Sequence, residues 1–320
     1  MEIIIESKGA KVSKEGNCFL IEKVTGEKTK ISPLQCEILL AYPSVIFTTN
    51  AILLAMEKKC DIVFLDNYGH PKGRVWNSEF NSIPAVRRMQ YEHFNQESGT
   101  EIAKKYICRK LEGFIDILKK YDITDDDISQ IREAIYNIEM LKGKPIDVRD
   151  RVMGYEGNSG RIFFNKISLV LPTRYQFEKR ELQNAKSEFN ILLNYCYGIL
   201  YRVCEGSLIK KGIDPFLGIL HSDSYNKKSF LFDFIEIFRP WAVSRVIEFI
   251  KKKYIRIDYF SNGELTALGK SEIATYFNKF LDGREDFKGK QYTRKEIINK
   301  EVEDLIRELR GDKNEISAEL

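Results

Sequence analysis

Apolar positions in the first eighty residues come in short runs. Ile3 to Ile5, Cys18 to Ile21, Cys36 to Leu40 and Ile62 to Leu65 are apolar or β-branched, separated by Lys14-Glu15-Gly16-Asn17, Thr25-Gly26-Glu27 and similar polar stretches. Runs of that length bounded by turn residues predict strands. One helix interrupts them: Thr48 or Thr49 can cap a segment in which Ala51, Leu54, Ala55 and Lys58 recur at helical spacing before Asp61. Asn67 to Gly73 reads as a closing turn.

After Ser82-Ile83-Pro84 the period changes. Ile102, Tyr106, Leu111, Ile115 and Leu118 follow steps of three and four, and Ile128, Ile131, Ile135, Ile138 and Leu141 repeat the pattern. Leu192 to Leu200 and Ala242 to Ile250 are further helical segments. The expected fold class is α+β and multidomain. A small β-sandwich-like domain spans 1–82, a linker 83–95, a larger all-α catalytic domain 96–310, and a flexible polar tail 311–320.

Composition narrows the class. The 320 residues are 43% hydrophobic and 31% charged, as in ordinary globular proteins, and suffice for a core without disulfides. None of the six cysteines forms a C-x-x-C pair, which suits buried thiols in a reducing compartment. The first residues lack the basic start of a signal peptide, and no apolar run has the length of a bilayer span, so a cytoplasmic protein with no membrane partner is expected. A net charge of +4, from 51 basic and 47 acidic residues, permits nucleic-acid binding without requiring it. No P-loop, dinucleotide fingerprint, serine elbow or H-E-x-x-H is present.

Candidate chemistry concentrates in Phe230-Leu231-Phe232-Asp233-Phe234-Ile235-Glu236-Ile237-Phe238, where two acids interrupt an apolar run. A buried carboxylate is costly unless a cation neutralises it. On a helix, Asp233 and Glu236 share a face that one cation could meet; on a strand they point apart. The plainer alternative is a thin polar stripe facing water. His221 closes an apolar run twelve positions before Asp233, and the polar segment 222–228 can fold it back toward the acids. Glu156 precedes Gly157-Asn158-Ser159-Gly160, a segment suited to close backbone approach or a tight helix start, where a carboxylate can also simply favour the helix dipole. One imidazole with two or three carboxylates suits Mn²⁺ or Mg²⁺ better than structural zinc. Arg161, Lys210, Lys211, Lys227, Lys228 and Arg239 are candidate DNA-phosphate contacts, with plain surface charge as the alternative.

Three ordered segments carry a resemblance: Glu156-Gly157-Asn158-Ser159, Gly212-Ile213-Asp214-Pro215-Phe216-Leu217-Gly218-Ile219-Leu220-His221, and Ser229 through Pro240. Together with Asn190-Ile191-Leu192-Leu193 they resemble the CRISPR-associated protein 1 family, the integrase or endonuclease of CRISPR adaptation. The segment Phe177-Glu178-Lys179-Arg180-Glu181 departs from the basic, proline-containing sequence usual in relatives, and Ser159 stands where alanine is more usual. The resemblance implies metal ligands at Glu156, His221 and Glu236, with Asp233 either binding the metal transiently or holding His221 or a metal-bound water. It further implies a homodimer formed through the β domains, with two such dimers around one dimer of CRISPR-associated protein 2. The implied reaction joins the 3′-hydroxyls of a short double-stranded spacer DNA to the CRISPR repeat by transesterification. The rival functions are a freestanding metal-dependent nuclease using water, and a non-catalytic DNA-binding scaffold.

Overall fold

The structure, a computed structural model, describes residues 2–36, 38–58, 60–66, 71–75, 83–123, 125–182, 184–225 and 227–311. The chain divides into two compact units, residues 1–81 and 82–320.

The first unit holds strands β1 (Glu2–Ile5), β2 (Lys11–Glu15), β3 (Cys18–Glu22), β4 (Lys28–Ile31), β5 (Ile38–Ala41) and β6 (Ile46–Phe47), then helix α1 (Thr49–Glu57), β7 (Asp61–Leu65) and β8 (Pro71–Val75). One sheet has the order β1-β5-β7-β8, the other β4-β3-β2-β6. Parallel ladders set Ile3 against Leu39 and Leu39 against Ile62. Ile5, Val12, Phe19, Ile21, Leu39 and Ile62 from both sheets bury a common core with Ala51, Leu54 and Ala55 of α1. Thr48 caps α1 by accepting from the Ala51 amide.

Four apolar runs become strands, and polar strands join them. In β2 only Val12 is buried, and β4 buries none of its residues. Backbone pairing with β3 recruits both, and Lys30 pairs with Glu15 at 2.9 Å. The expected turn at residues 14–17 therefore narrows, because Lys14 and Glu15 pair with Phe19 and Cys18. Of the expected turn at 67–73, residues 67–70 lie outside the described residues, and Pro71, Lys72 and Gly73 lie in β8. Proline is tolerated there as the first residue of a strand.

The second unit is helical: α2 (Ile83–Phe94), α3 (Glu97–Lys120), α4 (Asp125–Met140), α5 (Pro145–Val170), α6 (Glu188–Lys210), α7 (Ser229–Ile235), α8 (Arg239–Lys251), α9 (Ala267–Leu281) and α10 (Arg294–Arg310). Residues 83–95, expected as a linker, instead carry α2. Val86, Gln90 and Phe94 on it are fully buried, which ties this helix to the helical core. Central α3 runs against α2, α4, α5, α7 and α8. Its Phe114 stacks on Phe163 of α5 with centroids 3.8 Å apart, and Lys104 donates to the carbonyls of Glu139 and Leu141 at the end of α4. Helix α10 stops at Gly311, whose φ of +74° favours glycine. The expected flexible tail beyond it, residues 312–320, lies outside the described residues. Among the described residues no helix is long and apolar enough to cross a membrane, and five of the six cysteines are buried.

Candidate metal centre in the helical unit

The site begins with a loop that the sequence pins down at both ends. Gln90 of α2 donates to the Asp214 carbonyl and accepts from its amide, both at 2.8 Å. The Pro215 carbonyl accepts from the amides of Phe230 and Leu231, which seats the start of α7 against the loop. At Gly218 a Cβ would meet the His221 carbonyl at 2.3 Å and Ser229 Cβ at 2.6 Å, so only glycine fits the return.

Asp233 fixes the three residues after that glycine. It lies on α7 and is 2% exposed. Its carboxylate accepts from the backbone amides of Ile219 (2.6 Å), Leu220 (3.2 Å) and His221 (3.2 Å), and faces His221 Nδ1 at 2.7 Å. An ionised carboxylate only accepts, so Nδ1 is the nitrogen that donates to Asp233. The ring, partly exposed, lies 5.7 Å from that of Phe232.

Segment 229–251 is helical throughout, but Glu236–Phe238 forms one 3-10 turn between α7 and α8. Pro240 opens α8 and cannot donate to the preceding turn, which accounts for the break. At this turn Glu236 is 3% exposed. Its Oε1 pairs with Arg239 Nε at 2.8 Å and its Oε2 with Lys110 Nζ at 2.6 Å. Lys110 also pairs closely with Glu156. A single buried ammonium thus bridges carboxylates from α5 and the α7–α8 junction. Burial pushes the Glu236 carboxyl upward, but Arg239, Lys110 and His221 outweigh it and hold it below the usual carboxylate range. Burial likewise opposes the Lys110 charge, while Glu236 and Glu156 raise its pKa above that of ordinary lysine. Arg239 donates to the Tyr201 hydroxyl at 2.9 Å and stacks over Tyr197 at 4.9 Å.

Asp233 and Glu236 are thus helical and buried, yet they have separate partners rather than one shared cation. Glu156 lies in the interior of α5, not at a helix start, because Pro145 begins that helix eleven residues earlier. A Cβ on Gly157 would meet nothing within 4 Å, so close backbone approach is not its role either. Among the described residues no three His, Cys, Asp or Glu side chains converge tightly enough to hold one ion. The donor chemistry nevertheless fits a divalent cation, since two carboxylates already share a positive charge, Glu236 Oε2 is buried without a hydrogen bond of good geometry, and His221 Nε2 is uncommitted.

The basic candidates separate. Arg161 is exposed and donates to Asn158. Lys210 is exposed; Lys211 pairs with Glu303 and Lys228 with Glu205. Arg239 is internal, 15% exposed, and belongs to the carboxylate cluster. Sequence reasoning missed Lys110, although it falls on the apolar face of α3, four residues from both Tyr106 and Phe114. It also missed Arg180, which donates to the side chains of Asn190 and Asn194 and lies over Tyr197 at 5.5 Å.

The fold and this cluster define a two-unit protein with a carboxylate-rich centre in its helical unit. The profile of CRISPR associated protein Cas1 matches residues 3–280, and the chain belongs to that family. The CRISPR-associated endonuclease Cas1 1 of Archaeoglobus fulgidus is 25% identical over 98% of this chain and 97% of its own length. A casposase bound to its integration product superposes with a TM-score of 0.82 at 22% identity, covering 99% of this chain and 92% of that one. A chain of a Cas6-RT-Cas1–Cas2 complex gives 0.76 at 19% identity over 97% of this chain and 35% of that larger chain. At these identities the likeness to solved structures is one of fold.

Proposed function

We propose that the chain is a metal-dependent DNA integrase and endonuclease of CRISPR adaptation, joining the 3′-hydroxyl ends of spacer DNA to the CRISPR repeat. The observation that carries this reading is the meeting of Glu156 and Glu236 on one buried positive charge, with His221 held by Asp233, three residues before Glu236 in the same helical segment. Glu156, His221 and Glu236 are the residues that would hold Mn²⁺ or Mg²⁺. Such an ion supplies Lewis-acid polarisation of the attacked phosphate. Asp233 engages His221 Nδ1, which leaves Nε2 as the nitrogen that would serve as a ligand. Arg239, locked by Tyr201 and Tyr197, keeps Glu236 ionised and adds fixed positive charge near the phosphate. Strand joining exchanges one phosphodiester for another, with the attacking 3′-hydroxyl losing its proton and the displaced 3′-oxygen gaining one. Arg161 and Lys210, both exposed, are the proposed backbone contacts. The proposed partners are a second copy through residues 1–82, a Cas2 dimer between two such dimers, and duplex DNA. The names of two solved neighbours, a casposase bound to its integration product and a Cas6-RT-Cas1–Cas2 complex, support only DNA and Cas2 as partner classes.

The test mixes the protein and Mn²⁺ with a duplex carrying 3′-hydroxyls and a repeat-containing plasmid. Joined products are expected from the wild type and none from His221→Ala or Glu236→Ala, with DNA binding retained. Normal joining by His221→Ala ends the assignment. Cleavage without joining points to the water-using nuclease, and absence of both together with unchanged DNA binding points to the scaffold.

A further inference from the structure

A buried carboxylate held beside a half-buried one is costly without a cation between them. In this chain that cation is part of the protein. The Lys110 side chain, 6% exposed, reaches from α3 to Glu156 on one side and Glu236 on the other. Its other neighbour is the ring of Phe114, 5.6 Å away on the same helix face. The second cation on Glu236 is held quite differently. Arg239 has a hydroxyl partner in Tyr201 and an aromatic face in Tyr197, so losing one carboxylate contact would leave it in place. Lys110 is a compact point charge on a flexible four-carbon stem, and among the described residues its ion pairs are with the two carboxylates.

We propose that Lys110 is an exchangeable internal counter-ion, holding Glu156 and Glu236 together in the metal-free protein and leaving them when a divalent cation binds. The proposal rests on the metal-centre reading and assigns Lys110 the role of competitor rather than ligand or scaffold. The chain can then fold without metal, with its carboxylates pre-gathered and, counting Arg239 with Lys110, neutral as a group. Metal entry becomes an exchange in which an ammonium leaves as the ion arrives, and the Phe114 ring offers the departing ammonium a face to rest on.

The test is Mn²⁺ affinity, measured by counting free Mn²⁺ with electron paramagnetic resonance. Lys110→Met and Lys110→Gln remove the competitor and are expected to bind Mn²⁺ at least about tenfold more tightly than the wild type, equivalent to about 1.4 kcal/mol. Their metal-free melting temperatures should fall, and Mn²⁺ should raise them by more than it raises the wild type's. Lys110→Arg keeps the charge in a planar fork suited to bridging two carboxylates, so it should bind Mn²⁺ more weakly than the wild type. It also serves where the neutral variants fail to fold. A purely structural lysine predicts the opposite order, with arginine rescuing affinity and methionine or glutamine losing it, and that order overturns the proposal. If the wild type binds no Mn²⁺, or binds it equally well as Glu236→Gln, the metal-centre reading itself has failed.

Discussion

Replacing Asp233 with alanine isolates what the buried carboxylate does for the loop before α7. The change removes the acceptor for three backbone amides and for the His221 ring. His221 is partly exposed, so water can take up its two donors. Ile219 and Leu220 are 5% and 2% exposed, so their amides are left unsatisfied. Each such buried donor costs about 1–3 kcal/mol, which puts Asp233→Ala at about 2–6 kcal/mol. A domain's whole stability is about 5–15 kcal/mol. Asparagine retains one acceptor oxygen and should lose roughly half as much. Urea unfolding at neutral pH in chelator measures the cost, and amide hydrogen exchange should show residues 219–221 losing protection selectively. A loss below about 1 kcal/mol for alanine, with unchanged exchange at those amides, would refute the reasoning.

Ser159 is fully buried in α5, and its hydroxyl has no hydrogen-bond partner among the described residues. Ser159→Ala should therefore raise stability by about 1 kcal/mol in urea unfolding, and a destabilised variant would mean the hydroxyl is satisfied after all. Arg109 holds the nearly buried Glu301 with two bonds of 2.7–2.8 Å, so Arg109→Met should cost about 3 kcal/mol by stranding that charge, while joint replacement with Glu301→Leu should recover most of it. The Glu236 carboxyl is held below its ordinary value, so its charge stabilises the fold above about pH 4.3 and that contribution is lost as pH falls through the depressed value. In chelator, the stability gap between wild type and Glu236→Gln should stay level from about pH 5 to 9 and close in acid; a gap that widens in acid contradicts the charge assignment.

Much of the architecture was legible because period and burial coincide. The i, i+4 rows of α3 and α4 face the helical core, and the Thr48 cap starts α1 where its side chain predicts. Strands β2 and β4 were not legible, since ladder hydrogen bonds recruit polar backbone regardless of side chain. The second unit's first helix hid behind Pro84, which reads as a boundary but is tolerated in a first helical turn. Within the site, Asp233 and Glu236 stood out as polar residues among apolar neighbours, whereas Glu156 and His221 were marked by the segments that carry the family resemblance. Their pairings did not stand out, because spacing along one helix says nothing about a lysine delivered from another. Lys110 was visible only as a charge at a position where α3 should be apolar.

The central claim is that Glu156, His221 and Glu236 bind one divalent ion. Anomalous-difference density from crystals soaked in Mn²⁺ tests it most directly. A single peak in coordination contact with Glu156, Glu236 and His221 Nε2, with the Lys110 ammonium moved off both carboxylates, is the predicted result. A peak bound elsewhere, or the Glu156–Lys110–Glu236 bridge intact at saturating Mn²⁺, would contradict it.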